Sequence, residues 1–302
     1  MALSEVPGRH ALPTRCGLVG AAGGVLLAAA ACTGPAQPRV TATPVRLVFA
    51  SRGQPPAGAT PSQVTTLVRR AWTATAAERT AVITVHTATA FIGSDQTASA
   101  VADTGTGPAV LSTAAADLRY RATPTATWRW RFMGDCVYGA APDPGDSARA
   151  VVWTRADLAH PAAGSEDLPV NPVDLLRSLS GSLTSVTATT GGILDGTPVT
   201  RYDGNAELTA AADAAPAGGA RVAVRHLQVV TGRDHLFVQE WIDGAGRIRR
   251  LTYTAQSTAP STPVESSAGT SPPPTVTYRS TSTTTITLGH FGVAAPVIAP
   301  AG

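Results

Sequence analysis

Apolar positions fall into three kinds of run along this chain, and each kind predicts a different element. One run, Gly17 to Ala31, is apolar throughout. Two others recur at helical spacing. Val64, Leu67, Val68, Ala71 and Thr75 predict an amphipathic helix over residues 61–79. Its start is marked by Thr60-Pro61-Ser62-Gln63, with Thr as N-cap, Pro at the first helical position and Gln three after the cap. Asn171-Pro172-Val173-Asp174 is a second N-cap signature, and Leu175, Leu176, Leu179 and Leu183 behind it form one stripe on a short helix.

The third kind is short and rich in β-branched or alternating residues. Val82 to His86 is a compact strand, while Thr97 to Val101 and Ala109 to Thr113 are weaker candidates. Trp128-Arg129-Trp130-Arg131-Phe132 alternates strictly, aromatics on one face and arginines on the other, and Met133-Gly134-Asp135 turns it into Cys136 to Gly139. Val151 to Trp153, Val186 to Thr190 and Val199 to Tyr202 are further strands. Leu236 to Ile242 and Arg247 to Tyr253 bracket Asp243-Gly244-Ala245-Gly246, the clearest hairpin signal. A Ser/Thr/Pro-rich stretch, 256–274, reads as a low-complexity loop ahead of a Thr-rich strand, Val276 to Leu288. Eight or more antiparallel strands with two helices and no βαβ rhythm make an α+β domain.

Composition narrows the classes. Hydrophobic residues are 43% of the 302 and charged residues only 14%, which excludes an intrinsically disordered chain. All 23 basic residues are arginine, and no basic run exceeds Arg249-Arg250, so the clustered footprint of a nucleic-acid binder is missing. A single apolar run near spanning length excludes a polytopic membrane protein.

That run follows Arg9, His10 and Arg15 and ends in small residues before Cys32, as an export signal does. Small residues directly before a cysteine resemble the lipobox of bacterial lipoproteins, although Ala29 stands where the pattern prefers leucine. The expectation is that residues 1–31 are removed and Cys32 is acylated, holding the chain at the outer face of the cytoplasmic membrane. An ordinary secretory signal is the alternative. Residues 32–60, with Pro35, Pro38, Pro44, Pro55 and Pro56, read as a tether to a domain over 61–300. Only Cys136 is then left free, so no internal disulfide is expected.

Catalytic chemistry finds little support. There is no Gly-x-Ser-x-Gly elbow, and without lysine no Ser-x-x-Lys motif or phosphate loop. The histidines are scattered, His226 and His235 with Asp234 being the nearest to a constellation, so no metal or cofactor is expected. Asp143, Asp146, Glu166 and Asp167 sit in turn-rich stretches, and Glu240 beside Trp241 is a lone carboxylate. The informative residues are apolar: Trp128, Trp130 and Phe132, with Trp153 and Trp241, either fill a core or line an oily cavity.

The order of motifs resembles the actinobacterial envelope lipoproteins of the LppX/LprG type, which share a LolA-like fold. A lipobox, tether and opening helix precede Gly134-Asp135-x-Val137-Tyr138, Asp174-Leu175-Leu176-x-x-Leu179 and Asp195-Gly196-x-x-Val199-Thr200-Arg201-Tyr202. Glu240-Trp241-Ile242-Asp243-Gly244-x-Gly246-Arg247-Ile248-Arg249-Arg250 is the most specific stretch, and Phe291-Gly292-Val293 closes the set. The resemblance implies a strongly curved antiparallel sheet, a half-barrel packed on a few helices, enclosing an apolar cavity that binds or carries the acyl chains of a lipid or lipoglycan. Cavity candidates are Ile83, Val85, Trp128, Trp130, Phe132, Trp153, Leu175, Leu176, Leu179, Phe237 and Trp241. It implies no catalytic residue. Two other readings stay open: an envelope interaction module with a solid core, and a secreted hydrolase built around His226 or His235.

Overall fold

A computed structural model describes residues 59–92, 98–123, 126–140, 152–160, 169–261, 276–293 and 297–300. The expected signal, Cys32 and nearly all of the tether lie outside those residues, as do Asp143, Asp146, Glu166 and Asp167. None of the described helices is long and apolar enough to cross a membrane.

Helix α1 (Pro61–Ala77) is followed by six strands: β1 (Thr80–Ile92), β2 (Ala98–Val110), β3 (Ala115–Thr123), β4 (Ala126–Met133), β5 (Cys136–Ala140) and β6 (Trp153–Asp157). Helix α2 (Pro172–Gly181), β7 (Leu183–Leu194) and β8 (Thr197–Glu207) come next. Two further helices, α3 (Leu208–Ala214) and α4 (Gly219–Thr231), precede β9 (His235–Asp243), β10 (Ile248–Ser261) and β11 (Val276–Gly289). All described strands form one antiparallel sheet in the order β6-β5-β4-β3-β2-β1-β11-β10-β9-β8-β7, with β6 and β7 as free edges.

The sheet is strongly curved, and helix packing shows why. Helix α2 touches both β3 and β8, which stand six strand positions apart. At about 4.8 Å per strand those two are roughly 29 Å apart in a flat sheet, while a helix with its side chains is only about 10–12 Å across. One helix meets both only if the sheet curls around it, giving an open half-barrel with its helices on the concave face.

Both N-cap signatures hold. Thr60 and Gln63 form a reciprocal capping box, and the Asn171 side chain accepts from the backbone N–H of Val173. The 243–246 hairpin is present, with Asp243 Oδ1 accepting from the N–H groups of Ala245 and Arg247. Elsewhere the strands differ from expectation. Thr97 to Val101 and Ala109 to Thr113 are not two strands: β2 runs unbroken through Gly105, Gly107 and Pro108, then turns at Leu111. Strand β3 was not expected, although Ala116, Leu118 and Tyr120 alternate with Asp117, Arg119 and Arg121. The expected loop over 256–274 begins inside β10, because each of its first residues is paired to β11 as far as Ser261. Residues 262–275 lie outside the described set.

Two strand glycines make room for the aromatics beside them. A Cβ on Gly105 would stand 2.5 Å from the Tyr120 ring, and one on Gly139 of β5 would stand 2.5 Å from Trp130. Both rings lie flat on their neighbouring strand on the concave side. Gly218, before α4, has φ of +99°, and a Cβ there would collide with the Asp135 carboxylate, which accepts from Gly219 N–H at 2.6 Å. Gly218→Ala is expected to lose about 1–3 kcal/mol from backbone strain and the displaced cap, read as a lower urea midpoint with unchanged slope.

Candidate functional site

Strand alternation sorts the aromatic and leucine candidates into two groups. On the concave side Ile83, Val85, Phe132, Leu175, Leu176 and Leu179 are buried in one hydrophobic core, with half-buried Trp130 packed against it. Trp128 faces the same way, opposite Tyr120 in the register. Trp153, Phe237 and Trp241 do not belong with them. Trp153 stacks under Arg129 and Arg131, 5.4 and 4.8 Å from ring centroid to guanidinium, on the convex face. On β9 Leu236, Val238, Glu240 and Ile242 are buried in alternation, so period two turns Phe237 (51% exposed) and Trp241 outward. Trp241 instead carries the Arg250 guanidinium, 5.7 Å from its ring. These three are corrected from cavity candidates to outer-face residues.

Among the described residues a cleft of about 160 Å³ opens on the concave side between α4 and the central strands. Its roof is largely apolar, formed by Ala223, Leu227 and Val230 of α4 with Leu175 of α2 and Val170, and His226 of α4 is its one polar side chain. Its floor is largely hydroxylic: Ser257, Ser280, Ser282 and Thr284, with Tyr253 and Ala255 between. The hydroxyls pair across strands, Ser257 with Ser280 at 2.8 Å, Thr89 with Ser282 at 2.8 Å and Thr87 with Thr284 at 3.2 Å. Val230 at the rim and Val229 beside it are exposed, the latter by 79%. A larger open groove of about 480 Å³ runs along the outward side of α1, but it is walled only by that helix and Gly246.

Of the cavity candidates only Leu175 lines the cleft; the others fill the packed part of the concave face. Helix α4 supplies most of the roof and was missed. Its signal was readable in Ala220, Ala223, Val224 and Leu227 at i, i+3, i+4 and i+7, followed by the αL cap at Gly232. His226 reaches the cleft from α4, whereas His235 is exposed at the start of β9 and Asp234 accepts a hydrogen bond from Gln228. Among the described residues no three His, Cys, Asp or Glu side chains converge as metal ligands would. Cys136 is half-buried, its Sγ held at 3.0 and 3.3 Å by the Arg155 guanidinium.

Burial strongly shifts two carboxyl groups inside the molecule. Glu240 is fully buried beneath α2, where its Oε1 accepts from Ser180 Oγ at 3.1 Å and its Oε2 has no hydrogen-bond partner among the described residues. Burial pushes its carboxyl up to about 8, against a smaller opposing pull from Ser180. Asp174 is raised to about 6, again by burial first, with Arg177 and the Asn171 amide opposing.

No family model matches the chain, and no curated protein matches it. Comparison with solved structures finds similarity to the lipoprotein LppX of Mycobacterium tuberculosis, at 14% identity and a TM-score of 0.43, covering 79% of this chain and 100% of that one. LprF from Mycobacterium bovis is similar at 12% identity and a TM-score of 0.42, over 81% and 100% of the two chains. A LolA-superfamily protein from Nitrosomonas europaea follows at 6% identity and a TM-score of 0.25, over 77% and 94%.

Proposed function

We propose that this chain is an exported, membrane-tethered envelope protein that binds the hydrocarbon chain of a lipid or lipoglycan in the cleft under α4. The observation that carries this reading is the cleft itself, a largely apolar helical roof over a hydroxylic sheet floor, with Val229 and Val230 exposed at its edge. Such a two-sided space suits an amphiphile. At about 160 Å³ it is smaller than the roughly 300–1,000 Å³ of pockets for drug-sized ligands. A chain bound there lies partly inside and partly along the valines of α4. The signal and lipobox pattern ending at Cys32 supports the tether, and the motif resemblance supports a non-catalytic carrier.

The test is native mass spectrometry, with solvent extraction, of the soluble chain from residue 33 made in a related host. A stoichiometric co-purified lipid supports the reading. A clean apo mass with no uptake of added fluorescent fatty acid overturns it. In the same assay Ala255→Phe, which fills the floor of the cleft, is expected to weaken fatty-acid uptake at least tenfold, at an overpacking cost of about 1–3 kcal/mol. Unchanged uptake would move the ligand away from α4.

The second reading, an envelope interaction module, is favoured by the densely filled core, where Ile83, Phe132, Leu176 and Leu179 are fully buried. It would be supported by a clean apo mass together with a partner in pull-downs.

A further inference from the structure

Besides Glu240, the concave face carries a carboxyl to which no described side chain donates a hydrogen bond. Asp103 of β2 is 8% exposed and faces inward opposite Thr87, which is hydrogen-bonded to Thr284 of the cleft floor. Strand spacing places Asp103 about 10 Å from Thr284, across β1 on the same face. Its carboxyl is raised by burial, with only a weaker opposing influence from His86, and no described side chain donates to it. The arginines that alternate along β3 and β4 all point to the opposite face.

Aromatic rings come next along the same face. Tyr120 lies over Gly105, two residues along β2 from Asp103 on the same side, and Trp128 stands opposite Tyr120 on β4. Tyr120 is close enough to feel both Asp103 and Tyr253 electrostatically, so the cluster is continuous with the cleft floor. A buried carboxylate without a cation is costly, and one beside aromatic faces and hydroxyl acceptors is complementary to an ammonium group.

We propose that the Asp103–Tyr120–Trp128 cluster is a subsite for a primary ammonium group, carried by an amphiphile whose hydrocarbon chain lies under α4. Asp103 and the neighbouring hydroxyls take the N–H bonds, and the rings take the face of the charge. This rests on the cleft being an amphiphile site, and it specifies the headgroup class.

The test measures binding of octylamine, octanol, octanoate and butylamine to the full chain by tryptophan fluorescence at neutral pH. It is run in 0.5 M salt so that exposed charges contribute little. Octylamine is expected to bind at least tenfold more tightly than octanol, with octanoate weakest. Asp103→Asn should collapse that ratio to near one, and should melt no lower than the parent because a buried charge has been removed. Trp128→Leu should reduce the ratio several-fold with Asp103 still in place. Octanol binding as tightly as octylamine, or an amine preference that survives both substitutions, overturns the subsite and leaves the cleft reading standing. Failure of every eight-carbon ligand to bind overturns the cleft reading and the subsite with it. Butylamine binding as tightly as octylamine keeps the ammonium site and overturns its link to a hydrocarbon chain.

Discussion

Raising the pH from 4.5 to 8 is expected to lower the unfolding free energy by on the order of 5 kcal/mol, and Glu240→Gln should remove most of that slope. The sign follows from burial. In the unfolded chain Glu240 ionises near its ordinary value of 4.5, while in the folded protein it holds its proton up to about 8. Below 4.5 both states are protonated and the full stability is present. Between the two values only the folded state binds the proton, so each pH unit costs stability until the carboxyl ionises beneath α2. Asp174, raised to about 6, adds a smaller loss in the same direction, complete two units earlier. The glutamine variant keeps the length and a polar contact to Ser180, and at pH 8 should be more stable than the parent by about 2–4 kcal/mol after the amide's unmet hydrogen bonds are counted. Urea unfolding at several pH values reads this directly. A parent profile flat from pH 5 to 8 would show that Glu240 is solvated or paired in solution.

Asp117→Ala is expected to destabilise the fold by about 2–4 kcal/mol. Asp117 is buried on the convex face of β3 and takes both Arg129 and Arg131, with Nη2–Oδ2 distances of 2.6 Å to each. Burial raises its carboxyl, but hydrogen bonds and charge from the two arginines together outweigh that and hold it below the ordinary aspartate range. The two guanidiniums lie over the Trp153 ring, and Arg131 also donates to the Ile298 carbonyl at 2.6 Å. Removing Asp117 leaves two like charges facing one ring with no counter-charge. The Arg129 side chain keeps 32% of its surface in water, which softens the loss from the larger values of a fully buried pair. Because the folded value lies below the unfolded one, this contribution is present above the ordinary aspartate range and lost as pH falls through the folded value, opposite to Glu240. Acid unfolding of the variant should begin from a lower plateau and show a shallower acid limb. A loss under 0.5 kcal/mol would mean the trio is a solvated surface feature.

The two groups show what the residues alone could and could not reveal. The strict alternation in Trp128 to Phe132 was enough to separate aromatics from arginines onto two faces. It could not say that Trp153, from a strand of its own, would join the arginines. Glu240 stood out as a lone carboxylate in an apolar strand, yet its burial depends on α2 crossing over β9, a contact between residues 60 positions apart.

Local signals determined the parts of this protein that local energetics control. The caps at Thr60 and Asn171, the 243–246 hairpin and the period-two strands depend on hydrogen bonds and side-chain directions within a few residues, so they were legible without a fold. Helix α4 was legible too, in its apolar spacing, and was overlooked. Tertiary structure alone decided which face of each strand became concave, because alternation names two faces without ranking them. It also decided where space remained. Leu176, Leu179 and Phe132, expected to line a cavity, instead filled the core, and the cleft formed where Ser and Thr ladders left the floor unfilled beneath α4. Packing sums contacts over strands far apart in sequence, and that sum has no local signature.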